Sequence, residues 1–506
     1  MTQARHPAAI LFGVTILAVL GGCSEGNAPA TTLIVNASIV DGTGSPAQAG
    51  AVRIEGDRIV EVGALEPRRG EQVVDAKGLT LAPGFIDVHS HHDEGLFEMR
   101  DATPVVSQGV TTIVVGQDGS MNWPVGELFE RLEKTPVAIN VASFVGHGNV
   151  RNEAMGKDGF RRHATAAEIE RMHRLVEQGM QAGALGLSTG LEYDPGIYSA
   201  SEEIIELAKV AKLQGGRYIS HIRSEDRYFW EAIEEILRIG REAAIPVEIT
   251  HMKLAMIDWW GQSARLLGLL DEARADGIEI TGDIYPYEYW HSDLTVLFPK
   301  RDFTNRESAE FALEHVSPPD GIILTQYSPE PALVGKSLAE VAKEKGMDPA
   351  AALMDLIARA SGEGAEQSIM GKGMKEADID ALIVWPFAAI CSDGALVSMH
   401  PRGRGAFTKV LRVYVRERKL LTLDEAIRKM TSLAAANVGI ADRGVIRPGA
   451  FADLVLLDPA AVADRSTFED PAALSVGIDR VWVNGVAVWA DGKATGAFPG
   501  KGVRRP

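Results

Sequence analysis

The stretch GFIDVHSHHD, residues 84–93, sets three histidines and two aspartates directly behind an apolar run. The whole chain has 12 histidines in 506 residues, so three of them in one short segment need a chemical reason. In an extended strand residues i and i+2 point the same way, so His89 and His91 share a face while His92 looks elsewhere. Two imidazoles at that spacing are half of a metal site.

Working outward, further short apolar runs alternate with helical patterns: TTIVVG, VAINVASFV, ALGLST, RYISH, VEITH, IEITGDIY and FAAICSD, which with FIDVH make eight. Eight such runs separated by helices predict an α/β fold, a (β/α)8 TIM-type barrel, over residues 83–440. The helical segment EEIIELAKVAKLQ follows Ser199, with Glu202 at capping-box spacing. The gap between runs seven and eight, about 292–384, is too long for one crossover and predicts an inserted subdomain able to act as a lid. Residues 32–82 and 441–506 carry alternating apolar and polar patterns with turn signals, including Asn484-Gly485, and predict a small β-sandwich domain built from both chain ends.

Catalytic groups of such barrels sit at the C-terminal strand ends. Here those ends read His89 and His91, Asp118, His221, His251 and Asp393. A lone histidine at any one position reads as core packing. Four histidines and two carboxylates on one barrel face read instead as ligands for one or two divalent ions, with Zn²⁺ best suited.

Composition narrows the partners. With 46% hydrophobic and 24% charged residues the chain is that of a globular protein, and a formal charge of −18 argues against nucleic acid or anionic lipid surfaces. At the N-terminus, Arg5, the apolar run AAILFGVTILAVL and then Leu20-Gly21-Gly22-Cys23 resemble a lipoprotein export signal, with Cys23 as the acylated residue. That reading makes 1–22 a signal peptide and 23–31 a tether. It places the mature protein in a bacterial cell envelope, facing the periplasm, with membrane contact only through the lipid. The apolar run is shorter than the roughly 20 residues a spanning helix needs. The other cysteine is Cys391, so a lipidated chain would form no internal disulfide.

APGFIDVHSHHD, VTTIVVGQDG, GALGLSTGLEY, ISHIRSE, ITHMK, DIYPY, CSDG and HPR, taken in order, resemble the N-acyl-D-amino-acid deacylases (D-aminoacylases) of the amidohydrolase superfamily. The resemblance implies metal-dependent hydrolysis of an acyclic amide, with His221 and His251 at a tighter metal position and His89 and His91 at a weaker one. It makes Asp393 the general base and then acid. Better-known members resemble GNCG where this chain has Gly116-Gln117-Asp118-Gly119, so a bridging thiolate would be replaced by the Asp118 carboxylate. A carboxylate is a harder ligand, which admits Mn²⁺ or Co²⁺ beside Zn²⁺. Glu192, after the fourth run, is the reserve candidate for the bridge, and Asp118 also has a plain reading as a turn residue.

The substrate the resemblance implies is a small N-acyl amino acid, whose carboxylate needs a cation. Lys253, two residues after His251 and so on the same strand face, and Arg402 in HPR are the candidates, with Tyr193 and Tyr285 as weaker ones. Three other readings compete. Gly186 to Gly190 fit G-x-S-x-G, but a loop and not a helix follows, which argues against a serine nucleophile. A non-catalytic periplasmic binding lipoprotein would not need so many ligand-type residues on one face. Hydrolysis of a cyclic amide, or deamination of a small heterocycle, uses the same metal chemistry and stays open.

Overall fold

A computed structural model describes residues 31–156, 159–362 and 365–506. Cys23 and the proposed signal peptide lie outside these residues. Among the described residues no helix is long and apolar enough to cross a membrane.

Eight parallel strand positions surround one core, and each falls on a run read from the sequence. They are Phe85–Asp87, Val110–Val115, a broken third strand (Asn140–Ser143 and Val145–Gly146), Gly186–Gly190, Arg217–His221, Val247–Ile249, Ile280–Ile284 and Ala388–Ile390. Phe85–Asp87, Val110–Val115 and Asn140–Ser143 form one parallel ladder, and Val145–Gly146 onward forms another that ends on Ala388–Ile390. The ring is completed past the last strand, where the Asp393 N–H donates to His89 O at 2.9 Å and the His91 N–H to Gly394 O at 2.8 Å. Every residue of Val110–Val115 and Gly186–Gly190 is buried, as strands covered by helices on one side and barrel core on the other must be.

Both chain ends build a single nine-stranded sheet, joined where Leu454–Leu457 pairs antiparallel with Thr80–Pro83. The expected hairpin forms at Asn484-Gly485, between Val483 and Val486, with φ of 48° and 79°. These are the positive angles a type I′ turn demands. Asn484 also ties the sheet to the barrel, donating from Nδ2 to Asn140 Oδ1 at 2.8 Å, while its N–H reaches Asp453 Oδ1 at 2.7 Å.

The insertion is a three-stranded antiparallel sheet (Tyr289–Ser292, Gln367–Lys372 and Ile322–Tyr327) under three short helices, with its own apolar core around Phe298, Leu324, Leu353 and Ile369. Glu376–Val384 falls inside the range expected for the insertion. It packs instead with Ser263–Ala275 against the barrel, as the crossover helix of strand eight. The helix Ser201–Leu213 also differs in its start. Its N-cap is Ala200, without a side-chain bond, and Ser199 Oγ turns back to Gly196 O at 2.6 Å. The Gly196–Tyr198 turn has taken that hydroxyl.

Candidate active site

The strand ends converge as the sequence requires. His89, His91, Asp118 and Asp393 bring one donor atom each within 4.8 Å of one another, and Asp118, His221 and His251 form a second such group. Asp118 belongs to both. Its Oδ2 lies 3.3 Å from His91 Nε2 and 3.5 Å from His89 Nε2, while its Oδ1 lies 3.4 Å from His251 Nε2 and 3.9 Å from His221 Nδ1. One carboxylate thus faces two histidine pairs with different oxygens, so it could be shared between two ions held by those pairs. The turn reading of Asp118 also holds, since its φ is 52°. Backbone geometry aims the carboxylate.

These residues fit a metal on grounds internal to the fold. Both ring nitrogens of His89 and the Oδ1 of Asp118 are buried without a hydrogen-bond partner. Buried polar atoms left unpaired are costly and call for a ligand. Nitrogen and carboxylate donors of this kind suit Zn²⁺, Mn²⁺ or Co²⁺.

Neighbouring groups orient the candidate ligands. Glu192 Oε2 lies 2.9 Å from His221 Nε2, which leaves Nδ1 facing Asp118. Glu192 therefore lies on the outer side of His221 and does not stand between the histidine pairs. Glu225, which sequence reasoning missed, accepts from Lys253 Nζ at 2.7 and 2.8 Å and lies 3.1 Å from His251 Nδ1. Its only sequence signal was its place four residues after His221. Asp283, at the end of strand seven, accepts the His251 N–H at 2.6 Å and was missed as well. Asp87 accepts the Ser392 N–H at 2.9 Å and fixes the turn that carries Asp393.

Asp393 meets Arg402 Nη1 through Oδ2 at 2.6 Å and turns Oδ1 toward His91 and His89 at 3.5 and 3.6 Å. Burial works to raise the Asp393 carboxyl, but Arg402 and these histidines hold it well below the usual range. It is a carboxylate at neutral pH.

The expected cations are present but engaged. Lys253 does not sit on a strand face, because strand six ends at Ile249 and His251 adopts a φ of 35°. A turn brings Lys253 Nζ within 2.7 Å of His251 Nδ1 and into its ion pair with Glu225. Removing one partner of a buried pair costs about 3–5 kcal/mol, so Lys253 is held by Glu225 and is not a free cation. Tyr193 lines the cavity, its ring centroid 4.4 Å from that of His221. Tyr285 is buried at 1% exposure and lies beneath Arg402, whose guanidinium is 4.8 Å from its ring centre, so it supports the wall without lining the cavity. Ser188 is buried in strand four and accepts the Gly119 N–H at 3.1 Å, which rules out an exposed nucleophile elbow.

The site opens into a cavity of about 950 Å³ between the strand ends and the insertion. The insertion is held against the mouth by Arg301, which donates to Asp194 Oδ1 at 2.9 Å and to Glu192 O at 2.8 Å.

A metal-capable carboxylate-histidine cluster at the C-terminal face of a (β/α)8 barrel defines a hydrolase of the amidohydrolase class. The family described as "Amidohydrolase family" matches residues 72–318 and 333–489. The chain is 37% identical over 496 residues to an N-acyl-D-aspartate deacylase of Alcaligenes xylosoxydans xylosoxydans, covering 93% of this chain and 94% of that one. It is 36% identical over 502 residues to a D-aminoacylase of the same organism, covering 94% and 98%. It also resembles the crystal structure of N-acyl-D-glutamate deacylase from Bordetella bronchiseptica, complexed with zinc and a phosphonate mimic of the tetrahedral intermediate. That match has a TM-score of 0.84 and 35% identity, covering 94% of this chain and 100% of that one. The chain belongs to the amidohydrolase family, in its D-aminoacylase branch.

Proposed function

We propose that this protein hydrolyses the amide bond of N-acyl-D-amino acids, releasing a carboxylate and a free D-amino acid. The observation that carries the proposal is Asp118 set between two histidine pairs, opposite the Asp393 carboxylate, in a chain of this branch. His89 and His91 would hold one divalent ion and His221 and His251 the other, with Asp118 shared between them. Zn²⁺ is the first candidate, and Mn²⁺ or Co²⁺ are admitted by the carboxylate. Such an ion brings the pKa of bound water down to about 7 and polarises the amide carbonyl.

The rest of the chemistry belongs to side chains. Asp393 Oδ1 faces the ligand histidines and is the oxygen placed to take the water proton and hand it to the leaving nitrogen. Arg402 keeps Oδ2 occupied and so fixes which oxygen moves the proton. Its remaining N–H groups, together with Lys253, would take the substrate carboxylate. Tyr193 covers the His221 side of the cavity and limits access of water.

Release of amine from N-acetyl-D-leucine by the Zn²⁺-loaded protein tests the reading. Turnover of a cyclic amide such as dihydrouracil, without turnover of any acyclic substrate, would replace it with the neighbouring amidohydrolase activity.

We also propose that the protein is a periplasm-facing lipoprotein anchored through Cys23. The support is the segment Leu20-Gly21-Gly22-Cys23 behind an apolar run. Radiolabelled palmitate should be incorporated by the native chain and not by Cys23→Ala; equal labelling of both would refute the anchor.

A further inference from the structure

His400 belongs to neither metal-capable histidine pair, yet it is bonded directly to Arg402. The residue is 1% exposed, and both of its ring nitrogens are engaged. Nδ1 accepts the Arg402 N–H at 3.1 Å, and Nε2 donates to Tyr289 O at 2.9 Å. A ring nitrogen that accepts carries no proton, so these two bonds fix one neutral tautomer. Tyr287, Phe468 and Tyr285 box the ring, their centroids 5.4, 5.8 and 6.5 Å from its own. Tyr289 opens the first strand of the insertion, so the imidazole is clamped between that strand and the start of the Arg402–Lys409 helix.

Arg402 needs such a hold. Its Nη1 meets Asp393 Oδ2 at 2.6 Å, but the chain between them, residues 394–401, is neither helix nor strand and leaves Val397 76% exposed. The first N–H groups of a helix have no partner within it, and Pro401 at the N-cap makes no side-chain bond to them. His400 supplies the acceptor to Arg402 itself. The helix has separate anchors, because Gly403 O accepts from Gln108 Nε2 at 3.0 Å and from His92 Nε2 at 3.2 Å. Loss of the His400 bond therefore frees Arg402 and leaves the helix docked.

We infer that His400 is a positioning residue for the reaction: through Nδ1 it holds Arg402 where the guanidinium keeps Asp393 Oδ2 occupied and Oδ1 turned toward His89 and His91. This rests on the deacylase reading above and deepens it. A misplacement of about 1 Å among groups that orient the reacting atoms can cost about 10² in rate, so a pin on Arg402 is read out at Asp393.

The test is kcat for N-acetyl-D-leucine on the Zn²⁺-loaded full chain, for His400→Gln and His400→Asn, each made in the native and in the Arg402→Lys chain. Gln can reach Tyr289 O but puts no acceptor at the Nδ1 position, and its kcat should fall by roughly tenfold. Asn sets Oδ1 at that position, as in an Asx turn that accepts the N–H two residues on, and should recover most of the loss. In the Arg402→Lys chain the Gln change should cost less than about twofold, because the guanidinium it positions is already gone. Near-native kcat in His400→Gln, or the same loss in both chains, would make His400 a packing residue and overturn this inference alone. If the Gln chain fails to fold by circular dichroism, Asn decides: near-native kcat upholds the inference, and a tenfold loss in a folded chain overturns it. Absence of turnover by the native chain would overturn the deacylase reading and this inference with it.

Discussion

Glu192 Oε2 meets His221 Nε2 at 2.9 Å, on the side of the ring away from Asp118. The two acids considered for the bridging role therefore occupy different places: Asp118 faces both histidine pairs, and Glu192 sets the orientation of the His221 ring. Asp118→Ala should lower bound metal per chain and activity together, because two cations lose a shared anion. Glu192→Ala should weaken metal affinity by about 10–100-fold, as loss of a ligand-orienting partner does, yet reach full occupancy at excess metal. Asp118→Cys should shift preference toward Zn²⁺. Metal content by plasma emission on the three variants decides it; full occupancy in Asp118→Ala with irreversible depletion in Glu192→Ala would assign the bridge to Glu192.

Asp393→Asn keeps the shape of the side chain and its contact with Arg402 but removes the proton acceptor. Turnover should fall by at least about 10², the contribution usual for a general acid-base group, with the far-ultraviolet circular dichroism unchanged. Near-normal turnover would move the role to another residue.

Arg301 reaches from the insertion to the loop that carries Glu192 and Tyr193, bonding Asp194 Oδ1 and Glu192 O. Arg301→Met should release that loop and, through Glu192, loosen His221. The expected result is roughly tenfold faster metal loss to a chelator, with partial recovery in Arg301→Lys, which keeps the charge but not the two-pronged geometry. A metal-loss rate equal to that of the native chain would show that the latch does not reach the site.

The barrel was legible because its strands are buried on both faces, so Val110–Val115 and Ala388–Ile390 appear as short apolar or β-branched runs with no need of periodicity. The clustering of the candidate ligands was legible because chemistry-bearing residues close those runs. What the sequence hid depends on contacts between distant segments. Glu225 takes its meaning from Lys253 28 positions on, and Arg301 from Glu192 109 positions back. Lys253 was placed by strand alternation that stops at Ile249, and the turn that replaces it has no alternation to read. Ser199 matched a capping pattern, but a nearer carbonyl claimed its hydroxyl.

The central claim is that a metal-dependent site at the barrel mouth cleaves N-acyl-D-amino acids. Amine release from N-acetyl-D-leucine and N-acetyl-L-leucine should be measured in parallel on protein loaded with Zn²⁺, stripped by a chelator, and reloaded. The account predicts cleavage of the D-substrate only, loss on stripping and recovery on reloading; equal cleavage of both enantiomers, or turnover untouched by the chelator, would contradict it.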